Sequence, residues 1–137
     1  MTRLLLDTNV PLDVLLKREP WLQHSGALWQ ASDAGRFYGF ITATSVTTIF
    51  YVARRVLGIV RALNAVDVCL EAFEVCPVTR ATLKQARALS GSDFEDNVQI
   101  ACAMIAGLDA IVTRDPRGFR ASPIPALTPA EALSRIG

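Results

Sequence analysis

Residues 93–119 read DFEDNVQIACAMIAGLDAIVTRDPRGF, and this stretch decides the fold. Gly91-Ser92-Asp93 is turn chemistry, and Glu95 to Ile105 then reads as a helix rich in alanine and branched apolar residues. The helix runs directly into Ala110-Ile111-Val112-Thr113, a short β-prone run, and Asp115-Pro116 follows it. A buried helix feeding a short apolar strand is one unit of an alternating α/β chain.

The rest of the chain repeats that unit on either side. Leu4-Leu5-Leu6 is a continuous apolar run ending in Asp7, as expected of a strand covered on both faces of a parallel sheet. Ser25 to Gly35 predicts a helix, with Gly35 at its end. Phe37 to Ile41 is β-prone, and a helix starts at about Thr44. Its Val46, Ile49, Phe50, Ala53 and Val56-Leu57 fall on one buried stripe. Gly58 divides it from a second helix, Ile59 to Phe73. Val75 to Val78 is another apolar run before a helix from Ala81 to Leu89. Pro125-Ala126-Leu127 forms a short last strand, and Thr128 to Ile136 carries capping signals, Thr-Pro with Glu131 three residues after the cap. The pattern predicts one domain over residues 1–137: a three-layer α/β/α sandwich around a central, mainly parallel sheet of four or five strands.

Composition excludes more than it selects. About half the residues are apolar and 20% are charged, which fits a globular domain and neither a disordered chain nor a coiled coil. The 14 basic and 13 acidic residues leave a net charge of +1, too small to announce a nucleic-acid partner by itself. Twelve of the basic residues are Arg, however, and its planar fork suits phosphate. Cys69, Cys76 and Cys102 are odd in number and form no CxxC pair, so they read as small buried hydrophobes in a reducing compartment. His24 is the only histidine, which removes His-based triads and metal sites. MTRLLLD has no signal-peptide core, and Ile100 to Leu108 is too short to span a bilayer, so the expected location is cytoplasmic.

In open α/β sheets ligands bind beyond the carboxyl ends of the strands. Asp7 and Asp115 occupy such ends, and Asp93 and Asp96 flank the start of the helix leading to the second of them. Each acid alone also fits a bland role. Asp7 suits an Asx turn leading into a helix, Asp93 or Ser92 an N-cap, Asp96 or Glu95 a capping box, and Asp115 the opening of a type I turn. Together they point elsewhere, because chance capping does not send four acids to one sheet edge. Crowded carboxylates repel, and a hard divalent cation such as Mg²⁺ or Mn²⁺ resolves the conflict.

LLLDTNVPLDVLL, ITATSVTTIFYVARR and DFEDNVQIACAMIAGLDAIVTRDPRGF together resemble the PIN-domain family, over essentially the whole chain. The resemblance implies a Mg²⁺- or Mn²⁺-dependent endoribonuclease, often the toxin of a toxin–antitoxin pair silenced by an antitoxin peptide. It implies Asp7, Asp96 and Asp115 as metal ligands, Asp93 as an accessory acid, and Asn9 and Thr113 as polar neighbours that orient the carboxylates. The family's second acid falls on Thr48, which supplies no charge. Thr44, Thr48, Tyr51 and Arg55 share one helical stripe, so the helix keeps a polar face there.

Arg114, Arg117 and Arg120, with Lys17-Arg18 and Arg54-Arg55, are placed to lead RNA phosphates toward the acids, or else are ordinary solvated charges. Trp21, Trp29, Phe37, Tyr38, Phe40, Phe50, Tyr51 and Phe73 fit core or dimer surface better than base-stacking platforms. A phosphohydrolase using Asp7 as nucleophile wants a second Asp where Asn9 stands. A phosphoryl-accepting receiver wants acids before the first strand and a late Lys, but MTRLLL has no acid and the last Lys is Lys84. The remaining alternative is a PIN-like binding or regulatory module with weak or no catalysis because Thr48 replaces an acid.

Overall fold

The computed structural model describes residues 1–136. In chain order the elements are β1 (Arg3–Leu6), α1 (Asn9–Leu15), α2 (Leu22–Asp33), β2 (Tyr38–Thr42), α3 (Ala43–Leu57), α4 (Ile59–Ala72), β3 (Glu74–Cys76), α5 (Arg80–Ala88), α6 (Phe94–Ala106), β4 (Ala110–Val112), a 3₁₀ turn (Pro116–Phe119), β5 (Ala126–Leu127) and α7 (Pro129–Arg135). The five strands form one sheet in the order β3-β2-β1-β4-β5, and every pairing is parallel.

The period of two along each strand divides the core. Leu4 and Leu6 of β1, with Ala110 and Val112 of β4, face a cluster that includes Val10 and Leu12 of α1, Leu28 of α2, Ile49 of α3, Cys69 of α4 and Ala132 of α7. Leu5 and Ile111 face the other way, onto Ala86 of α5 and Val98 to Ala103 of α6. Leu4, Leu5 and Leu6 are at most 1% exposed, and burying each is worth about 1.5–3 kcal/mol. A continuous apolar triplet makes sense only for a central strand covered on both sides, which is where β1 lies. Cys69, Cys76 and Cys102 are free and buried.

The predicted helices and strands recur within a few residues, with one instructive difference. The helix expected from Ser25 begins at Leu22, and Ser25 lies inside it with a buried, unpartnered hydroxyl. The true N-cap, Trp21, makes no side-chain cap bond and so leaves no signal. The helix expected after the turn at Asp7 is α1, and Pro11 fits within it because proline is tolerated in a first turn.

Helix ends set the angles at which the chain enters the sheet. Gly107 ends α6 in the left-handed region at φ 65°, and Leu108 N–H then donates to the carbonyl of Ala103 at 2.9 Å. α1 ends in the same motif with a residue that resists it: Lys17 has φ 53°, and Arg18 N–H donates to the Asp13 carbonyl at 2.9 Å. The capping box expected at Thr128 and Glu131 is present. Among the described residues no helix is long and apolar enough to cross a membrane.

Candidate active site

The strand order reverses at β1. The chain builds outward through β2 and β3 on one side and through β4 and β5 on the other, and the crevice lies beyond the carboxyl ends of β1 and β4. Asp7 and Thr113 are the residues that follow those two strands, and Asp7 N–H still donates to the Val112 carbonyl at 2.8 Å. A cavity of about 490 Å³ opens there, lined by Asp7, Asn9, Thr48, Asp93, Glu95, Asp96, Thr113, Arg114 and Asp115 among others. A larger one, about 710 Å³, lies beside the start of β2 and β3, where Glu71 and Glu74 are the carboxylates and nothing converges on them.

The Asp7 carbonyl accepts the turn bond from Val10 N–H at 2.8 Å, but its side chain is engaged elsewhere. Asp7 is 8% exposed, and its carboxylate accepts from Gln99 Nε2 at 2.9 Å on Oδ1 and from Thr113 Oγ1 at 2.8 Å on Oδ2. Both donors come from the far end of the sequence, and each oxygen keeps a further lone pair for another ligand. Thr113 also accepts from Asp115 N–H at 3.2 Å, tying the two acids through one hydroxyl. Asp93 and Asp115 do act as caps. Asp93 Oδ1 accepts from Asp96 N–H at 3.1 Å, and Asp115 Oδ1 accepts from Arg117 N–H and Nε at 3.3 and 3.1 Å.

Beside them, hydroxyls knit the end of β1 to the start of α3. Thr8 Oγ1 lies 2.6 Å from Ser45 Oγ, and Thr42 Oγ1 accepts from Ser45 N–H at 3.0 Å. Thr48 stands one helical turn further along α3 and lines the cavity, with its hydroxyl donated to the Thr44 carbonyl at 3.3 Å.

The electrostatics register the crowding. Burial, then the charges of Asp93, Asp7, Glu95 and Asp115, push the Asp96 carboxyl up to about 7. Desolvation, then Asp93 and Asp7, also raise Glu95. The hydrogen bond from Arg117 holds Asp115 below the usual carboxylate range. The donor set therefore suits a hard cation: carboxylates and hydroxyls, with neither histidine nor cysteine among the lining residues. The shell is not closed, since no three such side chains among the described residues stand at metal-binding spacing. The reason is visible in their partners. Asp115 turns outward to Arg117, and Asp7 is drawn toward Gln99 and Thr113.

The cavity thus brings together Asp7, Asp93, Asp96 and Asp115 with Asn9, Thr48, Thr113 and Arg114. Arg55 and Arg117 do not line it; Arg55 is exposed near the end of α3, and Arg117 leans on Asp115 in solvent. Sequence reasoning missed Gln99 and Glu95. Gln99 sits on α6 one turn after Asp96, and a lone amide within VQIACAMIA was the available signal. It also missed Asp13, fully buried on α1. Burial raises the Asp13 carboxyl, while Arg114 and Arg18 pull it back.

The sequence pattern of the PIN domain matches residues 3–117. No curated protein sequence matches the chain. Among solved structures, the chain is similar to DNA-bound VapBC from Salmonella typhimurium, with TM-score 0.75 and 20% identity over 94% of this chain and 99% of that one. It is similar to a toxin–antitoxin complex from Klebsiella pneumoniae, with TM-score 0.68 and 21% identity over 91% and 96% of the two chains. It is also similar to Mycobacterium tuberculosis VapC20, described as a sarcin–ricin loop cleaving toxin, with TM-score 0.70 and 15% identity over 86% and 94%. At such identities the structures speak for the fold, and the match over residues 3–117 speaks for descent: the chain belongs to the PIN-domain family.

Proposed function

We propose that the protein is a divalent-metal-dependent endoribonuclease that hydrolyses RNA phosphodiesters. The observation that carries this reading is the gathering of Asp7, Asp93, Glu95, Asp96 and Asp115 around one cavity at the point where the strand order reverses. Membership of the PIN-domain family brings hydrolysis of nucleic acid as its general expectation.

Asp7, Asp96 and Asp115 would hold Mg²⁺ or Mn²⁺, with Asp93 as the accessory acid. When bound, the ion would lower the pKa of a water molecule in its shell and offset charge developing on the phosphate. The chain's own residues do the rest. Gln99 and Thr113 fix the orientation of the Asp7 carboxylate, so its free lone pairs point into the cavity without a search over rotamers. Asp96, with its carboxyl raised to about 7, holds a proton part of the time near neutral pH and would give it up to serve as a ligand. Asn9 and Thr48 supply polar wall. Arg114 on the cavity wall, and Arg117 and Arg55 outside it, would meet RNA phosphates.

The protein would act in the cytoplasm as a homodimer and as the toxin of a toxin–antitoxin pair, restrained by an antitoxin protein; the structurally similar chain from Klebsiella pneumoniae was solved in a toxin–antitoxin complex. Purified protein should cleave single-stranded or loop RNA in Mg²⁺ or Mn²⁺, and EDTA should stop it. Asp7→Asn keeps the side-chain shape and should abolish cleavage with the fold intact. Cleavage surviving both treatments would refute the assignment. One observation favours a second reading, a binding or regulatory module without catalysis. Thr48 brings no charge to the cavity, and its hydroxyl is spent on the Thr44 carbonyl.

A further inference from the structure

One charged cluster beside the acids is explained neither by the core nor by the proposed metal site. Asp13 on α1 is 0% exposed. Two cations reach the same oxygen of its carboxylate, Arg114 Nη1 at 3.4 Å and Arg18 Nη1 at 3.5 Å. Two guanidiniums thus share one carboxylate, which leaves the cluster with one positive charge in excess. Neither Asp13 oxygen nor Arg114 Nη1 makes a hydrogen bond, although all three are buried. A purely structural ion pair would be expected to satisfy them, since unpaired buried polar atoms are costly.

Both arginines line the acidic cavity, with side chains 30% and 24% exposed. Their positions are fixed from behind. The left-handed turn at Lys17 folds Arg18 back over α1, with its N–H on the Asp13 carbonyl. The Arg114 guanidinium lies 3.9 Å above the Trp21 ring, so it is gripped between an aromatic face and a buried carboxylate. Guanidiniums held this way, with charge to spare, suit a phosphate oxyanion by forked hydrogen bonds at little entropic cost.

We infer that Arg18 and Arg114 form a phosphate-binding subsite on the wall of the acidic cavity, with Asp13 as the buried residue that positions both guanidiniums and Trp21 as the platform under one of them. The phosphate it takes is the backbone neighbour of the one presented to the carboxylates, so the inference rests on RNA being the ligand of this cavity.

The test is binding without cleavage. A fluorescently labelled single-stranded RNA is titrated in EDTA at several KCl concentrations, and the slope of log affinity against log salt is read. Arg18→Gln should flatten the slope by about 0.7, the value of one single-strand phosphate contact. The double variant Asp13→Asn, Arg114→Gln removes both charges of the buried pair together and should flatten it by about as much. Arg135→Gln, beside Met1 and Thr2 at the opposite end of the sheet, should leave the slope unchanged. An unchanged slope in a well-folded Arg18→Gln protein would overturn the subsite, and so would failure of the unaltered protein to bind RNA. If the double variant fails to fold, Arg18→Gln decides alone. Binding with these slopes but no cleavage in Mn²⁺ would keep the subsite and refute the nuclease reading.

Discussion

Asp96→Asn should make the metal-free protein more stable at pH 8, because the wild-type carboxylate is held among like charges. Burial and the charges of Asp93, Asp7, Glu95 and Asp115 raise its carboxyl from 3.8 to about 7. Below about pH 4 both folded and unfolded chains carry the proton and Asp96 costs nothing. As pH rises toward 7 the unfolded chain ionises while the folded one keeps its proton, so stability falls through that window and then levels off. About three pH units correspond to at most about 4 kcal/mol. Asp96 is only partly buried and faces an open cavity, so water screens its neighbours and about 1–2 kcal/mol is the part expected to survive. For a chain of this length that is a rise in Tm of about 3–7 °C. The assay is thermal unfolding of both proteins in EDTA at pH 8 and pH 5. At pH 5 the gain should shrink to about a third of its pH 8 value, since most of the window lies above it. Millimolar Mn²⁺ should raise the wild-type Tm at pH 8, by about 2.7 kcal/mol of stability if the ion stands at a hundredfold its Kd, and should leave Asp96→Asn where it was. Equal gains at pH 5 and pH 8 would mean that the substitution repacks the site and that charge crowding is not the cause. No gain at all would refute the crowding.

Three further outcomes follow from the geometry. Thr48→Glu puts a carboxylate on the cavity wall and should tighten Mn²⁺ binding and raise RNA cleavage; a protein merely destabilised, with unchanged metal affinity, would show that Thr48 serves only the packing of α3. Arg117→Ala should weaken RNA binding and flatten its salt slope by about 0.7, with circular dichroism unchanged, whereas an unaltered slope would leave Arg117 as a tether for Asp115 alone. Lys17→Gly should raise stability by up to about 1 kcal/mol in urea unfolding, because glycine takes φ 53° without the steric penalty of a Cβ; a loss of stability would mean that the lysine stem packs usefully on α1.

What was legible in the sequence is what depends on near neighbours. Leu4 to Leu6, Gly35 and the Thr128–Glu131 box announce their strand, helix end and helix start through local chemistry, and β4 follows α6 so closely that their order alone implies a parallel crossover. The acids Asp7, Asp96 and Asp115 were legible for the same reason, since each marks the end or start of an element. The partners were not. Gln99 reads as one polar residue in an apolar helix until Asp7, 92 residues away, is brought against it. Asp13 escaped notice because the two arginines that pair with it arrive from a turn and from the end of β4. Glu95 looked like a capping residue, and its place in the cavity depends on β1 lying beside β4.

That adjacency carries a consequence for synthesis. Of the five strands the central one is synthesised first, yet Thr113, which grips the Asp7 carboxylate, lies 106 residues downstream of it. The intervening β2 and β3 extend the sheet on the far side of β1 only, so they complete none of the acidic cavity. A nascent chain therefore holds Asp7 without its companions until α6 and β4 have emerged and docked, the slow long-range pairing of a parallel sheet. If the finished protein cuts RNA, this order of assembly withholds the acidic cavity from the message and the ribosome that are making it until β4 has emerged and docked.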